Sequence, residues 1–215
     1  MGIKERKERE KKRRRNAILN AAKRIIRQNG VEGMSMNQVA DLTELNKATL
    51  YSYFSNKDDL IDAVVYDGLV LLEKELEKSD QDPGPGLQRV LNLTGATFDF
   101  YREYPVYFYA LNHQERRGPG AERGTPFSVK GNEVASRIFD KIRENIKRGI
   151  EDGSIRREVN INRLLVLFFS NTYGVMHTVL AKEDVYVDVL GLNHEEVERS
   201  ALEFLEYFLE GRQKQ

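Results

Sequence analysis

The chain has 215 residues, with 34 Lys or Arg against 34 Asp or Glu and no cysteine. That length can bury a real core, while the missing thiols exclude disulfides, thiolate zinc sites and cysteine nucleophiles together. The formal charge of zero hides an asymmetry: residues 1–57 hold 14 basic and 6 acidic residues and residues 58–215 hold 20 and 28, so the first quarter suits a polyanion and the remainder does not.

In chain order, residues 4–15 form an arm of nine basic and three acidic residues with no apolar face, a composition expected to lack fixed structure on its own. Such an arm suits the DNA phosphate backbone or a narrow A·T minor groove. The charged start does not read as a secretory signal, so a cytoplasmic location is expected. Ile18, Ala21, Ala22, Ile25 and Ile26 then recur at helical spacing up to Asn29-Gly30, a helix-ending pair. Ser35 and Gln38 make a capping box, Asn46 is a second cap, and Ser55 or Asn56 a third, so helices are expected to start near 36, 47 and 57.

Leu60, Val64, Leu71, Leu72 and Leu76 sustain a helix to about Lys78, stopped by the Pro- and Gly-rich run 82–86. A helix over 87–101 follows, with Pro105 marking a break before a short aromatic segment that ends near His113. Residues 118–126 read as a loop. Val134, Ile138, Ile142, Ile146 and Ile150 lie four apart, predicting a long helix over 128–151 closed by Gly153. Two more helices fit 160–181 and 194–210, and the only strand-like run, 185–189, lies in a connection. Leu164 to Ala181 is 18 residues without a charge, but Ser170, Asn171, Thr172, His177 and Thr178 interrupt it, which favours a helix buried in a bundle over a membrane span.

The expected fold is all-α: a basic arm over 1–15, a three-helix helix-turn-helix domain over 16–56, and a larger helical body over 57–215. A recognition helix must place its first turn against base edges in a groove about 12 Å wide and secure itself to phosphates on either side. Lys47 and Ala48 occupy that first turn, Leu50 and Phe54 read as core, and Thr49, Tyr51 and Lys57 suit phosphates. Ser35 and Asn46 stand at helix starts where a phosphate can bind, although local capping accounts for both. Tyr51 and Tyr53 lie about 200° apart on a helix and cannot face the same way, which leaves Tyr53 open between core and DNA.

Residues 17–60 resemble the DNA-binding domain of the tetracycline-repressor (TetR) family of bacterial transcription regulators. The resemblance rests on the apolar first helix ending in Asn29-Gly30, the run Met34-Ser35-Met36-Asn37-Gln38-Val39-Ala40, and Asn46-Lys47-Ala48-Thr49-Leu50-Tyr51-Ser52-Tyr53-Phe54 followed by Lys57 and Leu60. It implies that Lys47, Thr49 and Tyr51 lie on the reading helix and that Lys57 begins a connecting helix with a phosphate contact. This chain departs from the family pattern at Glu44, where a glycine is common, and at Ala48, often glycine in relatives. Glu44 must accept a positive φ at some cost or alter the turn.

The resemblance further implies a ligand cavity in the body and a dimer made by its last two helices. Seven aromatics crowd residues 98–109, and the ligand-binding candidates are Phe98, Tyr101, Tyr104 and Phe108, joined from later helices by Phe139, Phe169, Tyr173 and His177. Aromatic walls with few polar groups suit a small apolar or aromatic effector. Leu165, Phe169, Val197, Ala201, Phe204, Leu205 and Phe208 supply the dimer candidates. His113, His177 and His194 have no mutual spacing suited to a metal, no nucleophile-base set emerges, and neither cofactor nor enzymatic activity is expected. The expected function is a homodimeric, effector-responsive regulator of a double-stranded DNA operator. The alternative is a constitutive dimeric DNA-binding or architectural protein with no effector.

Overall fold

A computed structural model of the chain describes residues 2–81, 83–117, 125–181 and 189–210. Its helices are α1 (Ile3–Asn29), α2 (Met36–Leu42), α3 (Lys47–Tyr53), α4 (Lys57–Ser79), α5 (Gly86–Glu103), α6 (Pro105–Arg116), α7 (Pro126–Asp152), α8 (Ile161–Ala181) and α9 (His194–Leu209). The fold is all-α; among the described residues the one β feature is an isolated antiparallel bridge between Ile155 and Glu210. The strand-like run at 185–188 and the loop at 118–124 lie outside the described residues. The chain divides into two compact units, residues 1–69 with 105–133 and residues 70–104 with 134–215. The first three helices thus share a unit with α6 and the start of α7, segments remote from them in sequence.

In the first unit Ile18, Ala22, Val39, Leu50, Phe54, Leu60, Ile61 and Val64 are wholly buried, and Phe108 and Ala110 of α6 close the same core. α4 and α6 touch at Gly68, where an added Cβ would lie 2.7 Å from the Tyr107 ring, so a side chain here would force the two helices apart. Lys23 of α1 donates to Asp67 at 2.9 Å and Tyr107 to the same carboxylate at 3.2 Å. Burial pulls the Lys23 ammonium down, but Asp67 and Tyr107 outweigh it and leave its pKa raised.

In the second unit α5, α8 and α9 pack on one another. The start of α5 has Pro85 as its N-cap and no cap from its own side chains. Asp152 instead accepts from the Gly86 N–H at 2.8 Å, and the Ser154 hydroxyl accepts from the Leu87 N–H at 3.1 Å. The C-terminal end of α7 therefore satisfies the free donors of α5 and places a carboxylate at its positive pole. Burial alone would raise the Asp152 pKa, yet the bonds from Ser154 and Gly86 hold it below its ordinary value. This junction requires Gly86, because a Cβ there would come within 2.1 Å of the Gly149 nitrogen.

Three expectations change. The arm is not irregular: α1 runs through it from Ile3. Lys, Arg and Glu are good helix formers, Arg14 pairs with Glu10 at 2.9 Å, and the packed half of α1 supplies the costly nucleus from which further turns propagate. Pro105 marks the expected break after α5, but the short aromatic segment it opens is a full helix, and Pro126 begins another, because the first helical position needs no N–H donor. α8 is not buried on all sides: Leu164, Leu165, Phe168 and Met176 face the core, while Val166 and Leu167 are more than half exposed. None of the described helices is long and apolar enough to cross a membrane.

Candidate nucleic-acid interface

The turn between α2 and α3 is built from local signals. Ser35 accepts from the Gln38 N–H at 3.3 Å while its own N–H donates to the Gln38 side chain at 2.8 Å, the expected capping box. At the other end, Glu44 N–H donates to Asp41 O at 3.2 Å and Leu45 N–H to Ala40 O at 3.0 Å. Those two bonds are a Schellman motif, whose penultimate position wants the left-handed region. Glu44 occupies it with φ 54°, the sole positive φ outside glycine among the described residues. It keeps the turn and bears a conformational cost of about 1 kcal/mol.

Asn46 caps α3 by accepting from the Thr49 N–H at 2.8 Å. Leu50 and Phe54 are fully buried and anchor the helix, whereas Lys47, Ala48, Ser52 and Tyr51, the last 48% exposed, form its outer face. Thr49 and Tyr53 are half-buried, so Tyr53 turns away from the Tyr51 face as the 200° separation requires. Lys57, half-buried at the start of α4, donates its ammonium to the Glu32 carbonyl at 3.3 Å, which ties that helix start to the link before α2. Asn56 is the third cap, accepting from the Asp59 N–H at 2.8 Å, and Asp59 returns the bond to the Ser55 N–H at 2.8 Å. An anion approaching this surface would meet the starts of α2, α3 and α4, the Lys47 and Lys57 ammonium groups and the Tyr51 phenol.

Behind that surface lies a polar cluster that sequence reading misses. Asp62 of α4, 1% exposed, accepts from Gln114 at 3.0 Å and Thr125 at 2.8 Å and pairs with Arg117. His113 of α6 reaches Glu32 at 3.1 Å and Asp58 at 3.6 Å. Thr125 in turn caps α7 by accepting from the Ser128 N–H at 3.0 Å. Phe127, in the first turn of α7, lies with ring centroids 5.9 Å from Phe54 and 6.2 Å from Tyr66, and Arg15 stands 4.5 Å over it. The available signal was Asp62 itself, a single carboxylate inside the apolar run Leu60, Ile61, Ala63, Val64.

Residues 18–64 match the profile of the family described as bacterial regulatory proteins, tetR family. The DNA-binding domain over those residues belongs to that family. The uncharacterized HTH-type transcriptional regulator YhgD of Bacillus subtilis (strain 168) is 29% identical over 140 residues, 65% of this chain and 69% of that protein. Among solved structures, AibR in complex with isovaleryl coenzyme A and operator DNA aligns with a TM-score of 0.68 at 21% identity, over 89% of this chain and 97% of that one. FadR from Bacillus subtilis in complex with stearoyl-CoA gives the same TM-score at 16% identity, over 90% and 98%. At such identities the two structures establish a shared fold.

The ligand-binding candidates fall into groups. Phe98 and Tyr101 are buried along α5, with Tyr101 5.2 Å edge-on to Phe100 and Tyr104 5.4 Å from the same ring. Burial pushes the Tyr101 phenol up, so it stays protonated. Phe139 meets Phe169 at 6.0 Å and Phe169 stacks on Tyr173 at 5.9 Å, while His177 is half-buried one turn further along α8. Phe108 lies in the core of the first unit. A different hollow, an open groove of about 430 Å³, runs between α5 and α9 and is lined by Leu91, Gly95, Asp99, Leu202 and Glu206 among others; it contains none of the candidates. Among the described residues no group of His, Asp or Glu is placed to hold a metal ion.

The dimer candidates also divide. Leu165 and Leu205 are buried within their own subunit, while Phe169 and Phe204 are exposed. Sequence reading missed Val166, Leu167 and Tyr207, which are 66%, 54% and 77% exposed. An outward stripe on α8 and α9 this apolar is unusual for a surface with no partner.

Proposed function

We propose that this regulator is a homodimeric repressor whose two α3 helices read a palindromic operator, and that a small molecule held in the helical body releases it. The observation that carries the reading is the outer face of α3, where Lys47, Ala48 and Tyr51 are exposed over a buried Leu50–Phe54 anchor. Lys47 would donate to guanine acceptors and the Ala48 methyl would touch a thymine methyl, while Thr49, Tyr51 and Lys57 would hold phosphates. Ser35, Asn46 and Tyr53 take positioning roles through caps and packing. A two-fold pair would place its reading helices about 34–36 Å apart, or a multiple of that.

The exposed apolar stripe of α8 and α9 supports the dimer. Release requires an effector that binds the non-spanning dimer better than the DNA-bound one, with a coupling of about 1–3 kcal/mol. The aromatic groups on α5, α7 and α8 favour an apolar or aromatic molecule, and the isovaleryl-CoA and stearoyl-CoA complexes of two fold relatives make acyl thioesters the first class to try. The test selects a duplex from random sequence with the full-length protein, then titrates isovaleryl-CoA, stearoyl-CoA and aromatic acids while following DNA anisotropy and melting temperature. A compound that raises the melting temperature and weakens the duplex complex about fivefold or more supports the reading. If every compound that binds leaves DNA affinity unchanged, the constitutive alternative takes its place.

A further inference from the structure

The proposed DNA contacts do not use the first three turns or so of α1. That segment carries nine Lys or Arg against three Glu between residues 4 and 15, and all but Arg15 are exposed. It is helical and continuous with the packed half of α1, so it stands out as a rod, not a loose tether. Its twelve residues rise about 18 Å, the length of about five base pairs. Its root is fixed: the Arg15 guanidinium lies 4.5 Å over Phe127, whose ring is 5.9 Å from Phe54 at the end of the recognition helix. The basic rod therefore leaves the first unit beside the element that carries the exposed reading face.

We propose that this helical arm is a second DNA-binding element, which lies along phosphates flanking each half-site and lengthens the operator beyond the bases α3 reads. The inference rests on the DNA-binding reading above. A helix about 10–12 Å across cannot enter a minor groove about 6 Å wide, so the arm reads no bases there. What it supplies is charge held at a fixed spacing. Arg14, pairing with Glu10, and Arg15, stacked on Phe127, stiffen the base of the rod, and Lys4, Lys7 and Lys11 lie along one side of it at three- and four-residue intervals. Contact with about three phosphates per arm, six per dimer, would add about five to the slope of log affinity against log salt.

The test uses the full-length protein and two duplexes, one trimmed to the selected palindrome and one with six further base pairs on each side. The wild type is expected to bind the flanked duplex at least about tenfold tighter near 100 mM KCl, with a steeper salt slope. Replacing Lys4, Lys7, Lys11 and Lys12 by Gln should erase that advantage while leaving affinity for the trimmed duplex within about twofold. Lys11→Pro breaks the rod and Lys11→Gln removes the same charge without breaking it, so a larger loss with Pro shows that the helix itself matters. Equal affinity of the wild type for the two duplexes, or equal effects of Lys11→Pro and Lys11→Gln, overturns the proposal. A wild type that selects no duplex at all sinks the DNA-binding reading itself, which separates the two failures.

Discussion

α3 and α8 are built on opposite terms. α3 has seven residues, too few to be stable alone, yet its bounds are set by Asn46 at one end and its attitude by Leu50 and Phe54 beneath. α8 has 21 residues, three times that length, and its inner face is equally well packed, but its outer face presents Val166, Leu167 and part of Phe169 to solvent. A short helix whose exposed face is mostly small or polar is finished as a monomer and ready for a polar partner. A long one whose exposed residues are apolar is unfinished until another apolar surface covers it. The contrast yields expectations in which each region fails differently.

Phe54→Ala should give the largest loss, about 3–5 kcal/mol in denaturant unfolding, because it empties a fully buried site between α3 and the Phe127 ring. Phe204→Ser with Tyr207→Ser should do the reverse. Unfolding of the isolated chain should change by no more than about 0.5 kcal/mol for each, while sedimentation velocity shows dimerisation weakened by about 2–4 kcal/mol. If the double variant unfolds early and still sediments as wild type does, the outer stripe belongs to the monomer.

Lys47→Ala should cost about 1–3 kcal/mol of affinity for the selected duplex, with no more than a small effect on melting temperature. It should also relax preference at one base position per half-site, as read by repeating the selection. Glu44→Gly should stabilise the fold by about 0.5 kcal/mol, since relief of the left-handed conformation slightly exceeds the extra chain entropy of glycine. Both Glu44→Gly and Glu44→Gln should tighten DNA binding by removing a carboxylate beside the reading helix, and Glu44→Gln, which keeps the side chain and its backbone strain, should do so without raising the melting temperature.

The smallest expected effect is on pH. The Glu73 carboxyl is held below its ordinary value of 4.5 chiefly by Arg137, which donates to it at 2.6 Å. A depressed carboxyl contributes stability that is fully present above its unfolded pKa and is lost as the pH falls through the folded one. Thermal melts of Glu73→Gln should therefore lie below wild type near neutrality and converge with it as the pH falls below 4.5 and through the depressed folded value.

The helix order and most bounds were legible in the sequence because caps, prolines and four-residue spacings are local. Ser35, Asn46, Asn56 and Gly153 each mark the end they were expected to mark. The irregular arm was a misreading of composition: twelve residues with no apolar face cannot nucleate a helix, but they can extend one that Ile18 and Ala22 already hold. Partners remote in sequence were not legible. Nothing near Phe54 points to Phe127, and nothing near Gly86 points to Asp152. The outward turn of Val166 and Leu167 was hidden for a similar reason, because an apolar helix looks the same whether its second face meets its own chain or another copy.

The claim that matters most is that paired α3 helices read two half-sites. Hydroxyl-radical footprinting of the full-length protein on its selected duplex tests it directly. The expected result is two equivalent protected patches whose centres lie about 34–36 Å apart, or a multiple of that, both lost together in the Lys47→Ala variant at wild-type saturating concentration. A single patch, or protection that ignores sequence and survives the loss of Lys47, would contradict it.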